Sequence, residues 1–262
     1  MGAKDLNLYS MMFVYLLLIV PLIISLLTKI KFEVKILISV IRMTIQLGLI
    51  GLYLNYVFQL NNLWINLGWV TIMAVVSSYS MMGSCRIKAK YLLFPILASI
   101  LLPLLATIFY FNHFIIGIDN VLSAKYLIPI SGMLLGNTMR GNSIATNTFL
   151  NYFRSNEKEY YFALSLGASK NEALRPIVRS SITSALSPSV ATMATIGLVS
   201  LPGMMTGQIL GGSVPMTAIK YQIAIMVAIF TSMSMSVYLL TSILQRKAFD
   251  KFDILRKDIF KK

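Results

Sequence analysis

Side chains able to do chemistry are few in this chain, and they gather in three places. Gly136, Arg140, Ser143, Asn147 and Asn151 recur at helical spacing, which puts them on one face of a helix. A row of amide, hydroxyl and guanidinium groups suits the binding of a polar solute or hydrogen bonding to a neighbouring helix. Packing accounts for the same stripe, because Gly132 and Gly136 form a small-x-x-x-small pair and Arg140 can snorkel to an interface. Further on, the run SLPGMMTGQILGG from Ser200 to Gly212 sets the thioethers of Met204 and Met205 beside Thr206 and Gln208. Thioethers are soft-metal ligands, and they are also common filling between apolar helices. The third place is a polar elbow, Leu166-Gly167-Ala168-Ser169-Lys170-Asn171-Glu172-Ala173. Gly167 suits the left-handed residue that ends one helix, and Ser169 with Glu172 three residues later forms a capping box that starts another.

Enzyme chemistry finds little here. The single histidine, His113, falls in a loop near Asp119, and two ligands six residues apart are too few for a metal site. No phosphate-cradling Gly-x-x-x-x-Gly-Lys-[Ser/Thr], no Gly-x-Ser-x-Gly elbow and no carboxylate pair within an apolar span occurs. Cys85 is the one cysteine, so neither an intrachain disulfide nor a thiolate cluster forms. No metal ligand set is assigned, and no cofactor is expected on this chain.

The elements that carry these groups are those of a membrane protein. Hydrophobic residues make up 57% of the 262, charged residues only 12%, and the mean hydropathy is +0.76, beyond the balance of a water-soluble domain. The reading is an all-α polytopic membrane protein with about seven spans: 8–27, 36–58, 63–82, 91–110, 126–146, 182–201 and 218–243. Lys and Arg segregate accordingly. Lys29, Lys31 and Lys35 fall in the first loop and Arg86, Lys88 and Lys90 in the third. Arg154, Lys158, Lys170, Arg175 and Arg179 fall in the fifth, and the remainder of that side in the tail from Arg246. Only Lys4, Lys125 and Lys220 lie on the other side, with Arg42 and Arg140 inside spans. Cytoplasmic loops retain positive charge, so the N-terminus is expected outside and the C-terminus in the cytoplasm.

Topology and attraction to anionic lipid headgroups explain the net charge of +14, and no nucleic-acid partner is expected. The first span is longer than a signal-peptide core and lacks a small-x-small cleavage site, so it stays as a span. Residues 1–245 then make one transmembrane domain, 151–181 a cytoplasmic loop within it, and 246–262 a basic tail. In the loop, Pro176 is expected to keep the second helix of the elbow short, lying along the membrane with Arg175 and Arg179 towards headgroups or water.

A helix, Gly-Ala, helix pattern in a cytoplasmic loop between late spans resembles the coupling loop of ATP-binding-cassette permeases. The importer version of that motif is only partly present, with Tyr161 where its glutamate stands and Ala163 retained. The SLPGMMTGQILGG run, with Gly136, Asn137 and Met139, Tyr221-Gln222, and Arg42 with Gln46-Leu47, resembles the FetB-like iron-export permease family, which has plant aluminium-resistance relatives. Arg140 departs from the small or amide residue expected there.

The resemblance implies a permease subunit in a bacterial inner (plasma) membrane, in contact with lipid and paired with itself. A separate ATP-binding-cassette ATPase, which binds ATP and Mg, would dock on 151–181. Gly167, Ala168, Ser169, Glu172 and Arg175 would transmit its movement. Asn137, Arg140, Ser143, Asn147, Met204, Met205, Thr206 and Gln208, with Arg42 and Gln46, are the pathway candidates. Gly132, Gly136, Pro202, Gly203, Gly207 and Gly211 are the packing or motif candidates, and Pro202 is expected to open either a half-helix or an irregular re-entrant segment.

The cargo expected from the resemblance is iron or another metal, yet all nine Asp and Glu residues and His113 fall in termini or loops. Hard metal ions prefer such ligands, and two arginines repel a bare cation, so a neutral or anionic complex or an organic anion fits better. A seven-span receptor or a lipid enzyme shares the topology. Neither needs the capped elbow, and no acid, base or nucleophile can be assembled for the latter.

Overall fold

A computed structural model describes residues 7–85 and 87–256. Lys4, Arg86 and the end of the basic tail from residue 257 lie outside the described residues. The described chain is helical, with isolated β-bridges only, Ile196 to Ser200 and Phe249 to Leu255. Helices α1 (Leu8–Leu16) and α2 (Ile19–Thr28) form one bent rod, followed by α3 (Glu33–Leu60), α4 (Leu63–Ser84) and α5 (Ala89–Tyr110). A π-helical turn (Phe111–Ile116) prolongs α5, and then come α6 (Ala124–Ser165), α7 (Lys170–Thr195), α8 (Gly203–Leu210) and α9 (Pro215–Lys247).

Among the described residues five stretches are long and apolar enough to cross a membrane: Tyr9–Thr28, Glu33–Leu60, Leu63–Ser84, Leu92–Ile116 and Pro215–Lys247. The expected fifth and sixth spans lie in α6 and α7, which are long enough but carry more polar residues. The chain is thus a multi-pass membrane protein built from helices.

Helix α6 is the central element, packed against α4, α7 and α9, while α5 lies against α4 and α9. Ile96, Ile100, Leu104, Leu127, Leu134, Phe149, Leu240 and Leu244 fill the space between them, all buried. Hydrocarbon solvates leucine as well as a protein interior does, so inside a bilayer close packing and interhelical hydrogen bonds hold such a bundle. Gly141 is one such close approach: a Cβ there would lie 2.8 Å from Met233 on α9. Helices α1 to α3 stand aside as a hairpin. Its turn is pinned by Ser25, which donates to Glu33 at 2.8 Å and accepts the Phe32 amide at 3.0 Å. Near its far end α3 meets the bundle through Val57 and through Tyr53, whose ring lies 4.4 Å from that of Trp69.

Four local expectations are corrected. Residues 151–181 are not a separate loop with a short surface helix: α6 runs on to Ser165, bent at Asn156, and α7 continues unbroken from Lys170 to Thr195 through Pro176 and Pro188. Each proline removes a single backbone bond, and burial of Ala173, Leu174 and Ile177 holds the turns around Pro176. The sixth helix ends at Thr195 rather than at residue 201 because Gly197 turns the chain with φ +88°. His113 sits in the π-helical turn, stacked on Phe109 and edge-on to Phe114, rather than in a loop. Cys85, expected in the loop between the third and fourth spans, is instead the buried C-cap of α4.

Candidate functional site

The elbow is built by two capping motifs with nothing between them. At the end of α6 the Ala168 amide donates to the Ala163 carbonyl (3.1 Å) and the Gly167 amide to that of Leu164 (3.0 Å). This pair of bonds is a Schellman closure, and it requires the left-handed φ of +90° at Gly167. Ser169 then caps α7 reciprocally: its Oγ accepts the Glu172 amide at 3.4 Å, and its own amide donates to Glu172 Oε2 at 2.8 Å. The Ser169 hydroxyl also donates to that oxygen at 2.6 Å. Those hydrogen bonds, the hydroxyl's first and the amide's second, hold the Glu172 carboxyl below its ordinary pKa. Phe162 and Leu166 stand exposed beside the turn, and Arg175 is exposed on the first turns of α7.

The chain beyond α9 folds back onto this elbow. Lys170 Nζ pairs with Asp253 Oδ1 at 2.9 Å and lies 4.6 Å from the centre of the Phe249 ring. Phe249 packs among Phe149, Phe153 and Tyr160, with ring centres 5.4 to 6.5 Å away, and Tyr160 donates to the Asp253 carbonyl at 3.0 Å. Burial first, then the charge of Asp253, pushes the Tyr160 phenol far up. Asp250 closes the hook by accepting the amides of Phe252 and Ile254. By charge this segment is only a basic tail; the sequence signal for the hook is Asp250 and Asp253 flanking an aromatic residue.

At the other end of the same helices, α6, α7 and α9 enclose a cleft of about 170 Å³ lined by Asn137, Arg140, Pro188, Ser189, Thr192 and Met193, among others. No described carboxylate pairs with Arg140. Met193 and Met226 also line an adjoining cleft of about 450 Å³, bounded by Pro202 and Met205 at the start of α8 and by Gln222 on α9. Among the described residues no three His, Cys, Asp or Glu side chains come together. The chemistry on offer is one guanidinium with amides, hydroxyls and thioethers, which suits an anion or a neutral complex better than a bare hard cation.

The structure divides the candidate residues. Asn137 and Arg140 meet in the smaller cleft, whereas Ser143 and Asn147 are half-buried elsewhere on α6; the Ser143 carbonyl accepts the Cys85 thiol at 3.6 Å. Asn151 lines a third cleft, near the elbow end, with Tyr152 and Ser180. The methionine pair separates: Met205 faces the larger cleft, and Met204 packs against the core. Pro202 caps α8, so the segment is a half-helix; Thr206 bonds back to the Pro202 carbonyl at 3.1 Å, and Gln208 is half-buried. Gly132 approaches Met73 of α4, and Gly211 lies over Gly207, whereas Gly136, Gly203 and Gly207 face open space. Arg42 and Gln46 are exposed on α3, away from these clefts. Gly141, at a close approach of α6 to α9, was not singled out from sequence, and neither were Thr138, Asn142 and Thr146 on the buried face of α6.

Residues 8–249 match the family described as Uncharacterised protein family (UPF0014). The UPF0014 membrane protein slr1647 of Synechocystis sp. is 33% identical over 210 residues, 80% of this chain and 81% of the relative. The protein named "Probable iron export permease protein FetB" in Escherichia coli is 29% identical over 250 residues, 95% of each chain. ALUMINUM SENSITIVE 3 of Arabidopsis thaliana is 31% identical over 203 residues, 76% of this chain and 71% of the relative. No solved structure matches. A family match over nearly all of an all-helical, multi-span chain leaves one assignment: it belongs to the UPF0014 family of membrane proteins.

Proposed function

We propose that this protein is the permease subunit of an ATP-binding-cassette transporter that exports a metal as a neutral or anionic complex, or an organic anion. One observation carries the reading: α7 runs without a break from the doubly capped elbow to the Arg140 cleft, and α6 joins the same two points through a single bend at Asn156. The 20 residues from Lys170 to Ser189 span about 30 Å of helix at about 1.5 Å per residue, so a push at the elbow moves the walls of the cleft as levers. Exposed Phe162 and Leu166 give a docking ATPase an apolar hold. That ATPase is a separate chain that binds ATP and Mg, because this sequence has no phosphate loop.

In this reading the chain makes seven crossings of a bacterial plasma membrane, N-terminus outside, with the elbow and tail in the cytoplasm, and two copies form the working unit. The name of the Escherichia coli relative, an iron export permease, supports iron as the metal. Arg140 in the cleft, and the lack of a carboxylate, imidazole or thiolate cluster among the described residues, favour a complexed over a bare ion.

Proteoliposomes containing the protein and its partner ATPase, offered ferric citrate and unchelated Fe(II) separately, test this. ATP-dependent transport of the citrate complex is expected, weakened about tenfold by Arg140→Gln if the guanidinium contributes about 1.4 kcal/mol to binding. Transport of unchelated Fe(II) alone overturns the cargo assignment, and no ATP-dependent transport of either overturns iron as the cargo.

A further inference from the structure

We propose that the face of α6 carrying Thr138, Asn142 and Thr146, opposed by Ser232 and Ser236 of α9, is a hydrated seam that holds a file of water molecules. We further infer that this seam forms part of the route of polar cargo; that second half rests on the permease reading, and the first does not.

All five side chains are buried, none more than 2% exposed. Asn142 Nδ2 donates to Ser236 Oγ at 2.9 Å, which fixes the amide and leaves Oδ1 as its free end. Among the described residues Asn142 Oδ1 and the hydroxyls of Thr138, Thr146 and Ser232 have no hydrogen-bond partner. Buried serine and threonine on helices usually bond back to the carbonyl one turn earlier. The same helices show it: Ser131 bonds to the Leu127 carbonyl at 2.6 Å and Thr241 to that of Val237 at 2.9 Å. The hydroxyls around Asn142 forgo that bond. Leaving four polar atoms dry in one interface is costly, and ordered solvent or a polar solute removes the cost.

The spacing selects the occupant. Thr138, Asn142 and Thr146 are four residues apart, so the polar row is about 12 Å long at about 1.5 Å per residue. A cation gathers its oxygen ligands within about 2.6 Å and cannot serve both ends of such a row, and no carboxylate is present to hold a divalent ion. Water donates and accepts, as these hydroxyls and the amide oxygen require, and several in file match the length. Asn142, in the middle, is then the residue that meets a polar solute moving along the seam.

Single cysteines introduced by Thr138→Cys, Asn142→Cys and Thr146→Cys into a Cys85→Ser background test the seam. The reagent is a small water-soluble methanethiosulfonate, used on purified protein without the ATPase. A thiol ionises far more readily beside water than in a dry apolar site, so labelling at least about tenfold faster than at Ala145→Cys or Val237→Cys is expected; equal rates overturn the seam. Thr138→Val and Thr146→Val provide a second measurement. A dry seam is relieved by valine, so a raised or unchanged unfolding temperature counts against hydration, and a lowered one supports it. With the ATPase present, Asn142→Leu should slow ferric citrate transport about tenfold. Undiminished transport in that variant overturns the route, whereas no ferric citrate transport by the unsubstituted protein overturns the cargo reading on which the route rests and leaves hydration to be decided by the labelling.

Discussion

Lys170 Nζ lies 2.9 Å from Asp253 Oδ1 and 4.6 Å from the centre of the Phe249 ring, joining the first residue of α7 to the segment that follows α9. The elbow is thereby clamped from its side by a hook remote in sequence. The ion pair is partly exposed, with side chains 22% and 42% accessible, whereas Phe249 is buried among three aromatic rings. Asp253→Ala should therefore cost less than about 1 kcal/mol, and Phe249→Ala about 3–5 kcal/mol. Denaturant unfolding of the protein in detergent measures both, and a larger loss from Asp253→Ala would show that charge rather than packing holds the hook.

At the elbow itself, Gly167→Pro forbids the φ of +90° and removes the amide that bonds Leu164, and Glu172→Lys removes the acceptor of the Ser169 amide. Both variants should insert and fold yet lose cargo transport while the partner ATPase still hydrolyses ATP. Comparing hydrolysis with transport in the same proteoliposomes reads this out, and unchanged transport in both variants would sink the coupling role.

The capping box carries a pH signature. Hydrogen bonds to Ser169 lower the native pKa of Glu172, so its contribution is present at neutral pH, begins to fall as pH drops below the ordinary carboxylate range, and is gone once the lowered native value is passed. Hydrogen exchange at the start of α7 should accelerate over that window in the native protein. In Ser169→Ala, which loses about 1 kcal/mol of cap and the larger of the two bonds that lower the pKa, exchange should be faster throughout and its acceleration on acidification smaller.

Burial pushes the Cys85 thiol up to about 11, against a hydrogen bond to Ser143 that lowers it. Because the thiolate is the reacting form, iodoacetamide at neutral pH should alkylate Cys85 about a hundredfold more slowly in the folded protein than in denaturant. Mass spectrometry of timed samples measures the ratio. A native rate near the denatured one would mean that the end of α4 opens readily.

Legibility in the sequence tracked how local the cause was. The left-handed glycine and the capping box were readable because each needs only four or five consecutive residues with the right donors and backbone freedom, whereas Pro202 fitted a half-helix or an irregular segment equally and only the structure shows the half-helix. Helix lengths near prolines were misread: Pro176 looks like a terminator, but burial of Ala173, Leu174 and Ile177 against other helices outweighs the one bond it removes. The polar stripe was half readable. Its residues do share a helix, but of them only Arg140, beside Asn137, reaches the cleft that α7 and α9 close.

By itself the sequence determined that this chain is helical, apolar and multi-pass, with a rigid turn between two of its helices, because hydrocarbon thickness, backbone saturation and capping act on neighbouring residues. Tertiary structure decided which polar groups meet. Asn142 finds Ser236 across 94 positions of chain, Lys170 finds Asp253, and Arg140 finds Thr192 across a cleft. Such pairings depend on how α6, α7 and α9 are rotated against one another, and close packing at points such as Gly141 sets that rotation rather than any local pattern.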